Sequence, residues 1–136
     1  EGFGDRIGRG DGARVFQGLF DAATHQELRR LPELFCGFNR RQHRGPTPYP
    51  VACSPQAWAA TATFGLLAAC LGLELRHEQN EMRFRDPVMP DFLDELVISN
   101  LQLGESRIDL RVHRYGHDVT VNVLSRQGTS RVLVWK

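Results

Sequence analysis

The sequence lacks several features that would point directly to a function class. Its three cysteines (36, 53 and 70) have neither an even count nor CxxC spacing, which disfavours both a disulfide framework and a cysteine-ligated metal site. The five histidines show no HxH or HExxH pattern, and no glycine-rich phosphate fingerprint joins a strand to a helix. We therefore expect free, buried thiols, no metal and no cofactor.

Lysine is nearly absent as well, occurring only at Lys136, and the 17 basic residues almost balance the 16 acidic ones. A net charge of +1 gives no reason to expect nucleic acid or a membrane surface as a partner. No charged and then apolar leader opens the chain, which with free thiols predicts a cytoplasmic protein. Because Glu1 stands in place of methionine, we expect a piece of a longer or processed protein.

The first half of the chain has helical periodicity. Apolar residues recur at helical spacing between Gly12 and Ala23, and Asp11 is a suitable N-cap; the stripe consists of Val15, Phe16, Leu19, Phe20 and Ala23.

A second helix is predicted to begin with Ser54 as N-cap and Pro55 as its first residue, and to end at Leu71 before Gly72. This helix carries no charge and is apolar nearly all round, so we expect a core helix buried on most faces rather than a membrane span. A domain of this size offers little surface to surround it, which suggests that neighbouring helices lie outside this chain.

After Leu75 the apolar period changes to two, as in half-buried strands. The alternating residues are Met82 and Phe84, then Ile108, Leu110 and Val112, then Val119, Val121 and Val123, then 131–135. Hairpin turns are predicted at 115–118 and 126–129. The sequence thus predicts an α+β protein with helices in residues 1–75 and a small antiparallel β-sheet in residues 76–136.

One carboxylate lies in a distinctive setting. Glu33 sits among Pro32, Leu34, Phe35 and Phe38, and apolar surroundings of this kind are found around carboxylates that act in acid/base chemistry. The basic run that follows, residues 39–44, is predicted to be an exposed loop, which is either simply solvated or the rim of a substrate cleft. A proline-rich loop, 46–50, then leads to the second helix.

The stretches Leu31–Phe38 and Pro48–Trp58 closely resemble the C-terminal part of bacterial glycogen-debranching-type glycosidases, the amylo-α-1,6-glucosidase-like proteins. That family belongs with the glucoamylase-like (α/α)6-toroid hydrolases. The segment Ala13–Phe16 is similar to the preceding toroid helix, and Leu96–Gly104 with Ile108–Leu110 to the family's C-terminal sheet. The resemblance covers most of the chain and is most specific between Glu33 and Trp58.

The resemblance implies that residues 1–75 are the last helices of a toroid and that Glu33 is the general base of an inverting hydrolysis of α-1,6-glucosidic bonds in α-glucans. The general acid lies upstream in that family, and neither Asp5 nor Asp11 has a context that marks it as this acid. The missing N-terminal part of the parent enzyme would then be a partner, and this chain alone would be inactive.

Three residues are candidates for substrate binding. Tyr49 and Trp58 have rings suited to stacking on sugars, although Trp58 is better explained by core packing, and Gln56 by helix capping. The alternative to the enzyme hypothesis is a non-enzymatic helix-plus-sheet module that binds a partner protein or a glycan.

Overall fold

A computed structural model describes residues 9–116 and 118–136, except for the side chains of residues 9–11. The chain forms two compact units divided between Leu66 and Leu67, and its α+β class is as predicted. The elements are α1 (Arg9–Thr24), a short 3₁₀ helix (Glu27–Arg29), α2 (Ala57–Cys70), β1 (Leu73–Arg76), β2 (Glu81–Arg85), β3 (Glu95–Leu103), β4 (Ser106–Tyr115), β5 (Asp118–Gln127) and β6 (Arg131–Trp135).

The first unit has a small core. Helix α1 buries Phe16, Ala22 and Ala23, and the last two pack with Leu31. Val15 is 60% exposed, so its predicted place in the buried stripe is wrong. The helix begins at Arg9, so Asp11 lies within the helix rather than at its N-cap.

Helix α2 begins at Ala57, two residues later than predicted. The backbone N–H of Gln56 donates to the Leu31 carbonyl, which holds the preceding residues in a loop, and the Gln56 carbonyl accepts the first bond of the helix from Ala60. Ser54 and Pro55 therefore lie outside the helix, and the peptide bond between them is cis. At the other end Gly72 has a φ of +53°, as expected for the residue after a helix.

The predicted burial of α2 on most faces is wrong. None of its side chains is fully buried, and Trp58 and Phe64 are 72% and 63% exposed. Trp58, Thr61, Phe64 and Gly65 follow one another at helical spacing on the exposed side. We refer to these four residues as the α2 stripe. Because the local sequence is apolar on every side, the sequence alone could not show which face stays open.

The strands form two three-stranded sheets rather than the single antiparallel sheet predicted. One has the order β1-β2-β6 and the other β3-β4-β5. Strand β6 runs parallel to β2, with Glu81 opposite Arg131 and Arg85 opposite Trp135. The predicted hairpin at 126–129 is therefore wrong, because the chain crosses there from β5 to the other sheet. The turn after Tyr115 is a hairpin as predicted, although His117 itself lies outside the described residues.

The second unit is held together by one apolar core. Met82 and Phe84 from β2 and Ile108, Leu110 and Val112 from β4 are fully buried in it, as the period of two predicts. Full burial of one such side chain contributes about 1.5–3 kcal/mol. Both sheets contribute to this cluster, which makes residues 67–136 a unit with a core of its own.

No helix in the described part of the chain is long and apolar enough to cross a membrane.

Candidate functional site

The segment that carries Glu33 is laid against the proline-rich segment that precedes α2. The Glu33 N–H donates to the Cys53 carbonyl at 2.9 Å, and the Cys36 N–H donates to the Thr47 carbonyl at 2.9 Å. Phe35 forms an isolated antiparallel bridge with Pro48. These backbone bonds, with that from Gln56 to Leu31, fix the path of residues 31–36, which we call the Glu33 strip.

The Glu33 side chain is also tied to Cys53. Its Oε2 accepts a hydrogen bond from the Cys53 N–H at 3.3 Å, so the two residues are joined through both backbone and side chain. Of the two carboxylate oxygens, Oε1 accepts no hydrogen bond from the described residues, and Glu33 is exposed rather than enclosed by its apolar neighbours. The arrangement presents an oriented carboxylate to solvent, which is suited to accept a proton or to bind a polar ligand.

Several apolar side chains lie exposed in the same unit as Glu33. Tyr49 is 45% exposed in the loop, and its carbonyl accepts a hydrogen bond from Ala52 that closes a turn. Leu34 and Phe38 are 51% and 67% exposed. The core-packing explanation of Trp58 is wrong, because its ring is open to solvent. Exposed aromatic rings and an exposed carboxylate are both groups that bind sugars, the rings by stacking and the carboxylate by hydrogen bonding.

Gln56 contributes main-chain hydrogen bonds at the start of α2. Its N–H and carbonyl bind Leu31 and Ala60, while its half-buried side chain makes no hydrogen bond to the described residues. Gln56 therefore lies at the N-cap position of α2, but its side chain does not cap the helix, and the side-chain amide stays available.

The thiols do not form a common site. All three cysteines are free, as predicted, but Cys53 is exposed and Cys36 and Cys70 are only partly buried, so the expected burial is wrong. Burial raises the pKa of the Cys70 thiol above its ordinary value.

Within residues 9–116 and 118–136, no group of three His, Cys, Asp or Glu side chains is placed to hold a metal ion. Asp5 and the side chain of Asp11, the two aspartates considered as the general acid, lie outside the described residues.

A groove beside the Glu33 strip was only partly anticipated. It lies between the second half of α1 and the loop 38–47, and its volume is about 540 Å³. The basic run of residues 39–44 was recognised in the sequence as a possible cleft rim. That it faces α1 could not be read from a local pattern, because the two segments are about 20 residues apart.

Comparison of the chain with models of protein families, with curated proteins and with solved structures finds no match.

Proposed function

We propose that this chain is the C-terminal part of a cytoplasmic glycoside hydrolase that acts on α-glucans, and that Glu33 is the general base for inverting hydrolysis of α-1,6-glucosidic bonds. The observation that carries the proposal is the Glu33 carboxylate, with Oε2 held by the Cys53 N–H and Oε1 open to solvent. A base must be held in one orientation and still reach a water molecule. The Glu33–Cys53 pair meets both requirements.

The reaction needs a second carboxyl group, which in this proposal belongs to a part of the parent enzyme outside this chain. Glu33 takes a proton from a water whose oxygen attacks the anomeric carbon from the face opposite the leaving group. The bond from that carbon to the glycosidic oxygen breaks, and the second carboxylic acid protonates the departing oxygen. The two carboxyl groups of an inverting enzyme stand about 6.5–9.5 Å apart, which leaves room for the water.

Substrate contacts are assigned to Tyr49, Gln56 and Trp58. The exposed rings of Tyr49 and Trp58 would stack on glucose units, and the side-chain amide of Gln56 would bind hydroxyl groups. The α2 stripe supports a parent with more helices, because a neighbouring helix would cover the apolar surface that Phe64 exposes here.

The same α2 stripe favours a second candidate, a non-enzymatic module that binds a partner protein or a glycan. In that case Glu33 would be a binding or structural residue, and its replacement would not affect turnover in any longer form of the protein.

The test joins residues 1–136 to the sequence that precedes them in their reading frame and measures hydrolysis of a branched α-glucan oligosaccharide. Glu33→Gln should lower kcat by about 10²–10⁴-fold. Glu27→Gln is the matched control, because Glu27 is an exposed carboxylate of the same unit with no hydrogen-bond partner for its side chain among the described residues. Unchanged turnover in Glu33→Gln would remove this residue from the mechanism and leave the binding module.

A chemical rescue separates loss of the base from loss of the fold. Glu33→Ala is given α-glucosyl fluoride and sodium azide, so that azide attacks C1, fluoride leaves, and no proton has to be removed from the nucleophile. Release of β-glucosyl azide, detected by proton NMR, would support Glu33 as the base of an inverting enzyme. Formation of α-glucosyl azide, or no rescue by azide in a folded variant, would contradict that role.

A further inference from the structure

The groove between α1 and the loop 38–47 has a strongly basic lining. Arg40, Arg41 and Arg44 line it together with the imidazoles of His25 and His43. Asp21 is the only carboxylate among the described residues that line it, and its Oδ2 lies 3.4 Å from Nη1 of Arg40. One positive charge is thereby offset, and the groove keeps an excess of positive charge.

Arg41 and Arg44 account for this excess. Neither forms an ion pair or a side-chain hydrogen bond with any residue in 9–116 or 118–136, and both are exposed. The Arg44 N–H donates to the Arg41 carbonyl at 3.3 Å, so the two arginines are the ends of one tight turn. The ends of such a turn are within about 7 Å at their Cα atoms, which lets two guanidinium groups approach one anion.

The groove also has an apolar part to its lining. Leu19 and Ala22 of α1 line it together with Phe35 and Phe38, and Phe38 is 67% exposed at the start of the loop that carries the arginines. A volume of about 540 Å³ falls within the range of small-molecule sites. A ligand that uses both kinds of lining carries an anionic group and a compact ring with an apolar face.

The wall that carries the arginines is held in place by a close contact. A Cβ atom at Gly45 would lie 2.6 Å from Cβ and 2.7 Å from Cγ of His25, so only glycine lets the loop approach the end of α1 this closely. The approach of this loop to the end of α1 therefore depends on the absence of a side chain at position 45.

We propose that this groove binds a phosphate monoester carried on a small uncharged ring, such as a phosphorylated sugar, with Arg41 and Arg44 on the phosphate and Phe38 against the ring. Paired guanidinium groups match the geometry of phosphate oxygens better than that of a monovalent anion. The inference goes beyond the hydrolase proposal and does not depend on it, because Glu33 does not line the groove.

The experiment measures binding of glucose 6-phosphate to the 136-residue chain by titration calorimetry at low ionic strength, with glucose and inorganic phosphate as separate ligands. We expect glucose 6-phosphate to bind at least about tenfold more tightly than inorganic phosphate, and glucose not to bind at this site. Equal affinity for inorganic phosphate and the sugar phosphate would show that the ring is not recognised and would overturn the proposal.

Variants locate the site. Arg41→Ala with Arg44→Ala should weaken binding of glucose 6-phosphate by at least about tenfold, and Arg41→Lys with Arg44→Lys should weaken it less, because charge is kept while the planar fork is lost. Arg126→Ala is the control, since Arg126 is an exposed arginine of the other unit without an ion pair in the described residues. Equal weakening by Arg126→Ala, or undiminished binding in the double alanine variant, would overturn the assignment. Tighter binding of a short RNA to the same two arginines would also overturn it, in favour of a polyanion surface.

Discussion

The backbone N–H of Asn100 donates a hydrogen bond of 2.6 Å to Oδ1 of Asp109, and this contact lies where two strand pairings both lose their regular register. The β3–β4 pairing shifts between Ile98 and Leu101, and the β4–β5 pairing shifts directly after Asp109. Oδ2 of the same carboxylate accepts a bond of 2.8 Å from the Ser125 hydroxyl. One side chain on the central strand therefore connects both irregular edges.

Acid should weaken the second unit through this carboxylate. The Asn100 N–H and then the Ser125 hydroxyl hold the pKa of Asp109 below its ordinary value, against a smaller opposite effect of burial. A carboxyl whose pKa is lower in the folded state stabilises the fold above its unfolded value, near 3.9, and that contribution is lost as pH falls through the folded pKa. In urea unfolding, the free energy of unfolding of Asp109→Asn should therefore be lower than that of the unsubstituted chain. This difference should be constant above about pH 5 and should shrink below about pH 4.

The control for this pH dependence is Glu105→Gln, an exposed carboxylate in the β3–β4 turn with no ion pair among the described residues. Its unfolding free energy should follow that of the parent chain at every pH. A deficit in Asp109→Asn that stays the same down to pH 2.5 would mean that the hydrogen bonds of the carboxylate do not depend on its charge.

A second prediction concerns the glycine that ends α2. Gly72 has a φ of +53°, and a Cβ there would lie 1.9 Å from the Arg85 carbonyl oxygen, which is backbone and cannot rotate away. Gly72→Ala should therefore cost about 3 kcal/mol or more of unfolding free energy.

The matched control is Gly104→Ala, because Gly104 has a nearly equal φ of +57° but no described atom within 4 Å of its Cβ position. Gly104→Ala should lower the free energy of unfolding by about 1–2 kcal/mol, which is the strain of placing a Cβ on a left-handed backbone. Equal losses in the two variants, measured by chemical denaturation, would show that the approach of Gly72 to β2 is not what limits this position.

The parts of the fold that depend on local alternation could be predicted from sequence. Met82 and Phe84, like Ile108 and Leu110, point to the core because a strand places alternate side chains on opposite faces. The partner of β6 could not be predicted in this way. A strand that follows a glycine turn looks the same in sequence whether it folds back on β5 or crosses to β2, and the choice rests on which core it can complete.

The candidate site likewise has a part that local sequence predicts and a part that it does not. The sequence pointed to Glu33 and to the start of α2, but the bond from Cys53 to the Glu33 carboxylate joins residues 20 positions apart and depends on how two loop segments pair. The exposure of Trp58 was missed for a related reason. The burial of an apolar residue depends on which other elements pack against it in the fold. The sequence of an apolar helix does not show how many elements pack against that helix.

The last prediction follows from that exposure. Trp58 and Phe64 project from the α2 stripe, and large apolar side chains grouped on one helical face favour association in water. We expect the 136-residue chain to associate with increasing concentration and to bind an apolar dye, as measured by sedimentation velocity and fluorescence. Trp58→Ser with Phe64→Ser should reduce both effects. Val51→Ser, which removes a side chain that is 85% exposed in the loop outside the helix, should leave both nearly unchanged. If the unsubstituted 136-residue chain stays monomeric and binds no dye, the α2 stripe does not act as an apolar contact surface. It then no longer supports a longer enzyme with further helices.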